Sequence, residues 1–269
     1  MFSVTLEQAR QNRFERKTVD GKTIWRSRFF GPPPSPETSS AVRPDGGPTE
    51  YVDPVAGEVR EPQAFLIEQD PQAEVGSHFH FVDQFQVVVA GGGLLGRHPV
   101  APLSVHFSAR CTGYGPISPG DEGLSYFTFR ASADETGAQY LPEAKSRMRA
   151  GKRRNVILEH IALSPESELS QRSEVASDVQ LDDPDGLAVT VYRLPAMASV
   201  TGLDPALGQG VTALVTTGSL ECQGTTYPKW SCFYTSPDEG PMELKAGAEG
   251  AEVLMLRYPR NSPAAEKRV

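Results

Sequence analysis

Three cysteines in 269 residues, Cys111, Cys222 and Cys232, are too few and too irregularly spaced for a disulfide framework or a thiolate zinc site. They predict free thiols in a reducing compartment, and the chain reads as cytoplasmic. Histidine is scarce as well, with five in all, so any site has few imidazoles to draw on. No run of about 18 apolar residues occurs, which argues against a membrane-spanning helix. The first eight residues carry no apolar core of signal-peptide type. Positive charge is short: 26 Lys and Arg face 34 Asp and Glu, for a net charge of −8 and a pI near 5.2. That balance argues against a general nucleic-acid or anionic-membrane binder. One basic cluster, Lys145 to Arg154, reads as a solvated stretch rather than a nucleic-acid patch. Helical periodicity is weak, the best windows being Ser3 to Arg16 and Leu141 to Met148, and no helix-turn-helix is evident.

Glycine (25) and proline (23) are plentiful, with short apolar runs between them, the pattern of many strands joined by turns. Strand-like runs occur at 64–68, 77–82, 85–90, 103–108 and 124–130, and the segment 155–162 suits a strand or a helix. A second series begins at Gly186 with 187–194, 211–217, 219–223, 230–234, 242–246 and 252–258. The two series share a rhythm, and their closing units, Ser118-Pro119-Gly120-Asp121-Glu122-Gly123 and Ser236-Pro237-Asp238-Glu239-Gly240, form a weak internal repeat. Two antiparallel jelly-roll barrels account for this better than one large sandwich. The division is an N-terminal loop-rich arm over 1–60, a first barrel over 61–150, a connector over 151–185 and a second barrel over 186–260. The triplet Gly91-Gly92-Gly93 lacks the helix and lysine of a phosphate loop and reads as a tight turn between strands.

The segment richest in chemistry is Gly76-Ser77-His78-Phe79-His80-Phe81-Val82-Asp83-Gln84. Two histidines one residue apart on a strand point to the same face. Gln84, four residues on, adds an oxygen donor. Such a set suits a divalent metal with open positions for substrate. Phe79 and Phe81 alternate with the histidines and face away. His106 is a further candidate to reach the barrel interior. His98 and His160 read as surface and structural residues, and Arg97 and Arg110 as surface groups. No nucleophile motif surrounds Ser104, Ser125 or Cys111.

His78-x-His80, three residues, Gln84, six residues, Gly91 resembles the first motif of the cupin superfamily, with Gln84 where the family usually has Glu. The glycine expected six residues ahead of the pair is replaced by Gln72. The second motif is degraded: its best register puts Gly123 on the motif glycine and Tyr126 where the last metal-binding histidine would stand. The resemblance covers residues 60–132 in motif and 186–260 in architecture only, and the second block holds no histidine.

The resemblance implies an all-β protein of two cupin-type barrels, bicupin-like, with one active half. It implies a divalent transition metal (Fe, Mn, Zn, Cu or Ni) on His78, His80 and Gln84. Tyr126 would serve as fourth ligand or as catalytic acid/base, with Tyr114 and His106 lining a small-molecule pocket. Two readings follow. One is a metal-dependent enzyme acting on a small organic molecule, of dioxygenase, isomerase or lyase type. The other is a metal-free, non-catalytic binding or sensory protein. Either suits a homodimer, the usual assembly of such barrels, with no nucleic acid and no membrane as partner.

Overall fold

In the computed structural model the described residues are 1–18, 21–32, 58, 60–134 and 136–260. In chain order the elements begin with β1 (Phe2–Val4), α1 (Leu6–Arg10), β2 (Phe14–Lys17), β3 (Thr23–Phe30), β4 (Gln63–Gln69), β5 (His78–Phe79) and β6 (Gln84–Leu95). Next come β7 (His98–Val100), β8 (Val105–Ser108), β9 (Ile117–Arg130), β10 (Gln139–Tyr140) and β11 (Asn155–Leu158). The chain continues with α2 (Glu166–Leu169), β12 (Ala176–Asp182), β13 (Ala188–Leu194), β14 (Ser199–Thr201) and β15 (Val211–Cys222). It closes with β16 (Thr225–Pro228), β17 (Cys232–Thr235) and β18 (Glu243–Arg257).

Two compact units result, each built on one antiparallel sheet. In the first, which starts at Asn12 and runs to Ile161, the order is β11-β8-β6-β9-β4-β3-β2, with β7 beside β6 and a small β10-β5 ribbon. In the second, which starts at Ala162, the order is β1-β17-β15-β18-β13-β12, with β14 on β18 and β16 on β15. Residues 1–11 belong to this second unit. The arm expected over 1–60 is thus divided: β1 completes the sheet of the second unit, while β2 and β3 extend that of the first. Residues 33–57 of that arm lie outside the described residues.

The helix expected over 3–16 is cut to α1. Thr5 caps it, accepting from Gln8 N at 3.2 Å while Gln8 Oε1 accepts from Thr5 N at 2.9 Å. On either side, pairing overrides local preference: Phe2 lies opposite Tyr234, and Phe14 opposite Arg26. The 155–162 segment resolves into the strand β11, and the 164–185 connector contains α2 and β12. All three cysteines are free.

Gly91–Gly93 is not a turn. The chain runs straight through it as the middle of β6, with register shifts against β9 on both sides of Gly91. Gly91 has φ +67°, and a Cβ there would lie 2.2 Å from the Gly123 carbonyl oxygen. The backbones approach too closely for any side chain, so the strand bulges and bends without ending. The second unit repeats the device: Gly218 also has φ +67°, and its Cβ would lie 2.1 Å from the Gly250 oxygen.

The repeat is regular in register. Gln86 lies opposite His106 on β8 and Thr128 on β9, and Ala213 lies opposite Phe233 on β17 and Met255 on β18. The pairs Gln86/Ala213, Gly91/Gly218, His106/Phe233, Tyr126/Val253 and Arg130/Arg257 are all the same number of residues apart. The interiors diverge. In the second unit Val211, Ala213, Val215, Phe233, Leu244, Val253 and Met255 form one apolar cluster. In the first, an apolar cluster around Phe65, Ile67, Val88, Ile117 and Leu124 shares the interior with buried His78, His80, Gln84 and Arg130.

Gly91→Ala and Gly218→Ala are each expected to lower unfolding free energy in urea by about 2–4 kcal/mol, from backbone strain plus carbonyl overlap. Gly21→Ala, at φ +81° with nothing within 4 Å, is expected to cost only about 1 kcal/mol.

Candidate functional site

Alternation along four strands of the first unit decides what faces its interior. Gln63, Phe65 and Ile67 on β4 share one face, as do Gln84 and Gln86 on β6, and Tyr126, Thr128 and Arg130 on β9. With Arg26 on β3 and His78 and His80 at and just beyond β5, they line a cavity of about 790 Å³. Gln63 lies opposite Arg130, Phe65 opposite Thr128, and Ile67 between Arg26 and Tyr126. The ribbon strand β10 sets Tyr140 opposite His78, with their ring centres 5.7 Å apart.

Each polar side chain has a definite orientation. His78 Nδ1–H donates to the Gly76 carbonyl at 2.7 Å, which leaves Nε2 as the acceptor. His80 Nδ1–H donates to Asp134 Oδ2 at 2.6 Å, so its Nε2 is likewise the acceptor. Asp134 Oδ1 accepts from Thr136 N at 3.0 Å and Thr136 Oγ1 at 2.6 Å. The amide of Gln84 is held at both ends: Nε2 donates to Tyr114 Oη at 2.5 Å, and Oε1 accepts from Arg130 Nε at 3.2 Å and Nη2 at 3.0 Å. Arg130 Nη2 also lies 3.1 Å from His80 Nε2, and Nη1 donates to Gln63 Oε1 at 2.6 Å. One guanidinium therefore joins His80, Gln84 and Gln63.

Burial governs the charges. Desolvation lowers the His80 pKa to about 4, with the Arg130 charge acting the same way and Asp134 opposing it. Desolvation and the His80 charge take His78 down to about 3, so both rings are neutral at pH 7. Burial opposes the Asp134 charge, but His80, Arg130 and Thr136 outweigh it and hold the carboxyl at about 2. Burial pushes the phenols of Tyr114 and Tyr126 up, which excludes a phenolate in this arrangement.

Of the residues singled out by sequence, His78, His80, Gln84, Tyr114 and Tyr126 line the one cavity. Tyr126 does not stand where a fourth metal ligand would. It is two interior positions from Arg130, roughly 13 Å along the strand, and the place beside the histidines belongs to Arg130. His106 lies outside the cavity, in a small recess with Val88, Val100, Ile117 and Ile157. Its ring nitrogens are 2.9 Å from Gln86 Oε1 and 3.2 Å from Asn155 Oδ1. Sequence reasoning missed Arg130, Asp134, Gln63 and Arg26. For Arg130 a signal existed, since strict alternation from Tyr126 carries it inward, and an arginine on an interior face is unusual.

No protein-family profile and no curated protein matches the chain. Solved structures do. A candidate dioxygenase from Nostoc punctiforme aligns with TM-score 0.57 and 11% identity, over 94% of this chain and 81% of its own. The Escherichia coli pirin YhhW, determined in complex with nickel(II), aligns with TM-score 0.54 and 10% identity, over 96% and 99%. GK1651 from Geobacillus kaustophilus aligns with TM-score 0.50 and 11% identity, over 93% and 98%. The chain has the two-barrel cupin fold. At these identities the likeness carries the fold and not an activity.

The cupin fold implies a metal, and the donors here can be tested against one. His80 Nε2 and Gln84 Oε1, the atoms that would ligate, already accept from Arg130. Among the described residues no group of three His, Cys, Asp or Glu side chains is placed to hold a metal ion. A divalent ion about 4 Å from the guanidinium would meet repulsion on the order of 8 kcal/mol at an effective dielectric of 20. As the side chains stand, the residues do not fit a resident metal ion.

Acid should unfold the first barrel early. The unfolded chain takes up protons below pH 6.5, whereas folded His80 and His106 resist protonation to about 4 and His78 to about 3. Their contribution is complete above pH 6.5 and is lost as pH falls to 4 or below. Urea titrations at pH 7 and pH 4.5 should differ by on the order of 2–3 kcal/mol per buried histidine. His106→Gln should remove one such share.

Proposed function

We propose that the first barrel binds a small organic molecule in a pocket whose fixed cation is the Arg130 guanidinium and not a metal ion. The observation that carries this reading is the hydrogen bonding of Arg130 to the two acceptors a metal would need, His80 Nε2 and Gln84 Oε1. The cavity suits the role. Its volume is within the ordinary range for drug-sized ligands, and Phe65, Ile67 and Tyr126 supply an apolar wall beside a few oriented polar groups. The second barrel, filled by its own apolar cluster, serves as scaffold.

A second reading has one observation in its favour. The Asp134 carboxylate holds His80 by Nδ1, the arrangement that commonly orients a metal-ligating imidazole. With the Arg130 side chain withdrawn, His78, His80 and Gln84 would be left facing the cavity. A metal-dependent reaction of oxygenase type is then open, in keeping with the nickel of the pirin structure.

Elemental analysis of the purified protein separates the two. Under the first reading the wild type carries less than about one tenth of an equivalent of transition metal. Arg130→His, which removes the guanidinium and adds an imidazole, gains divalent binding detectable by calorimetry. A stoichiometric metal in the wild type that is lost in His78→Ala establishes the second reading and ends the first.

A further inference from the structure

Resting on the guanidinium-centred reading, we infer that the ligand of this cavity is an organic carboxylate, seated between Arg26 and Arg130 with its apolar body against Phe65 and Ile67. Arg26 carries the argument. It projects from β3 into the cavity, opposite Ile67, and its guanidinium lies over the Phe65 ring at 4.3 Å from the centroid. Among the described residues no carboxylate and no hydrogen-bond acceptor meets it. What does surround it is like charge: after desolvation, Arg16 and Arg130 are the main causes that depress its pKa to about 9. A partly buried arginine that no acidic group answers is costly unless an anion arrives.

Arg130 lies over the same ring at 5.4 Å, which puts the two guanidinium carbons less than about 10 Å apart. A carboxylate that pairs with Arg26 therefore sits within the field of a second guanidinium, Arg130, whose own N–H groups are bonded to Gln63, Gln84 and His80. The acidic groups in the lining are committed elsewhere. Asp134 is bonded to His80 and Thr136, and Glu74 Oε2 accepts from Ser118 Oγ at 2.6 Å. A protein with a net charge of −8 thus keeps a positive pocket. The flat, ring-stacked guanidinium groups match a planar carboxylate, and the apolar wall matches a hydrocarbon or aromatic body rather than a bare inorganic ion.

Calorimetry and thermal shift on the full chain test this with benzoate, phenylacetate and 4-phenylbutyrate, their amides, and inorganic phosphate. At least one of the carboxylates should raise the melting temperature and bind at least tenfold more tightly than its amide and than phosphate. Arg26→Gln should weaken it tenfold or more, with Arg26→Lys intermediate and circular dichroism confirming the fold of each variant. Equal binding of acid and amide, tighter binding of phosphate, or no binding of any carboxylate overturns the inference. Metal content of the same preparation is read separately. A metal-free protein that ignores carboxylates defeats this inference alone, whereas a stoichiometric metal defeats the guanidinium-centred reading and the inference with it.

Discussion

A guanidinium buried inside a β-barrel has to be answered on every N–H, and the interior of the first barrel is arranged around that demand. Arg130 offers donors and no acceptor, so the barrel surrounds it with oxygen and nitrogen acceptors: Gln63, Gln84 and the unprotonated face of His80. Those acceptors need fixing in turn. Asp134 sets the His80 tautomer, Tyr114 sets the Gln84 amide, and Thr136 sets Asp134. The polar cluster is therefore a chain of dependent orientations, each with one strand or turn behind it. Removing one member strands the next in a medium where unpaired polar groups cost several kcal/mol.

This demand also accounts for the substitution at the heart of the motif. A glutamate at position 84 would sit at hydrogen-bond distance from Arg130 as a buried ion pair, and would give up the N–H that Tyr114 now accepts. The amide serves both neighbours at once, with oxygen toward the arginine and nitrogen toward the phenol. Gln84 is thus matched to Arg130 in the way a glutamate is matched to a metal.

Much of the fold was legible because period-two alternation and Gly-Pro punctuation are local signals. The segments 64–68, 124–130 and 187–194 fall on β4, β9 and β13 for that reason. The His-x-His-Gln cluster was legible as well, since its members lie within seven residues of one another. Long-range register was not. The meeting of Arg130 with His80 and of Asp134 with the same ring joins residues about 50 positions apart, and no local pattern announces it. The breaks expected at Gly91–Gly93, and between 217 and 219, are continuous strands because a glycine can bulge a strand as readily as end it. Likewise the N-terminal helix gave way to β1 and β2, whose partners β17 and β3 are set by tertiary pairing.

The twin bulges at Gly91 and Gly218 have a bearing on how such a protein can change. They fix the bend of β6 and β15 with backbone atoms alone, at positions that contribute no side chain to either interior. Frame and contents are thereby uncoupled: the same glycine device bounds a polar-lined cavity in one half and an apolar filling in the other. A descendant could exchange the arginine, the amide or the imidazoles without renegotiating the shape of the wall. The cost of the architecture falls on a few glycines, and its chemistry is left free to vary.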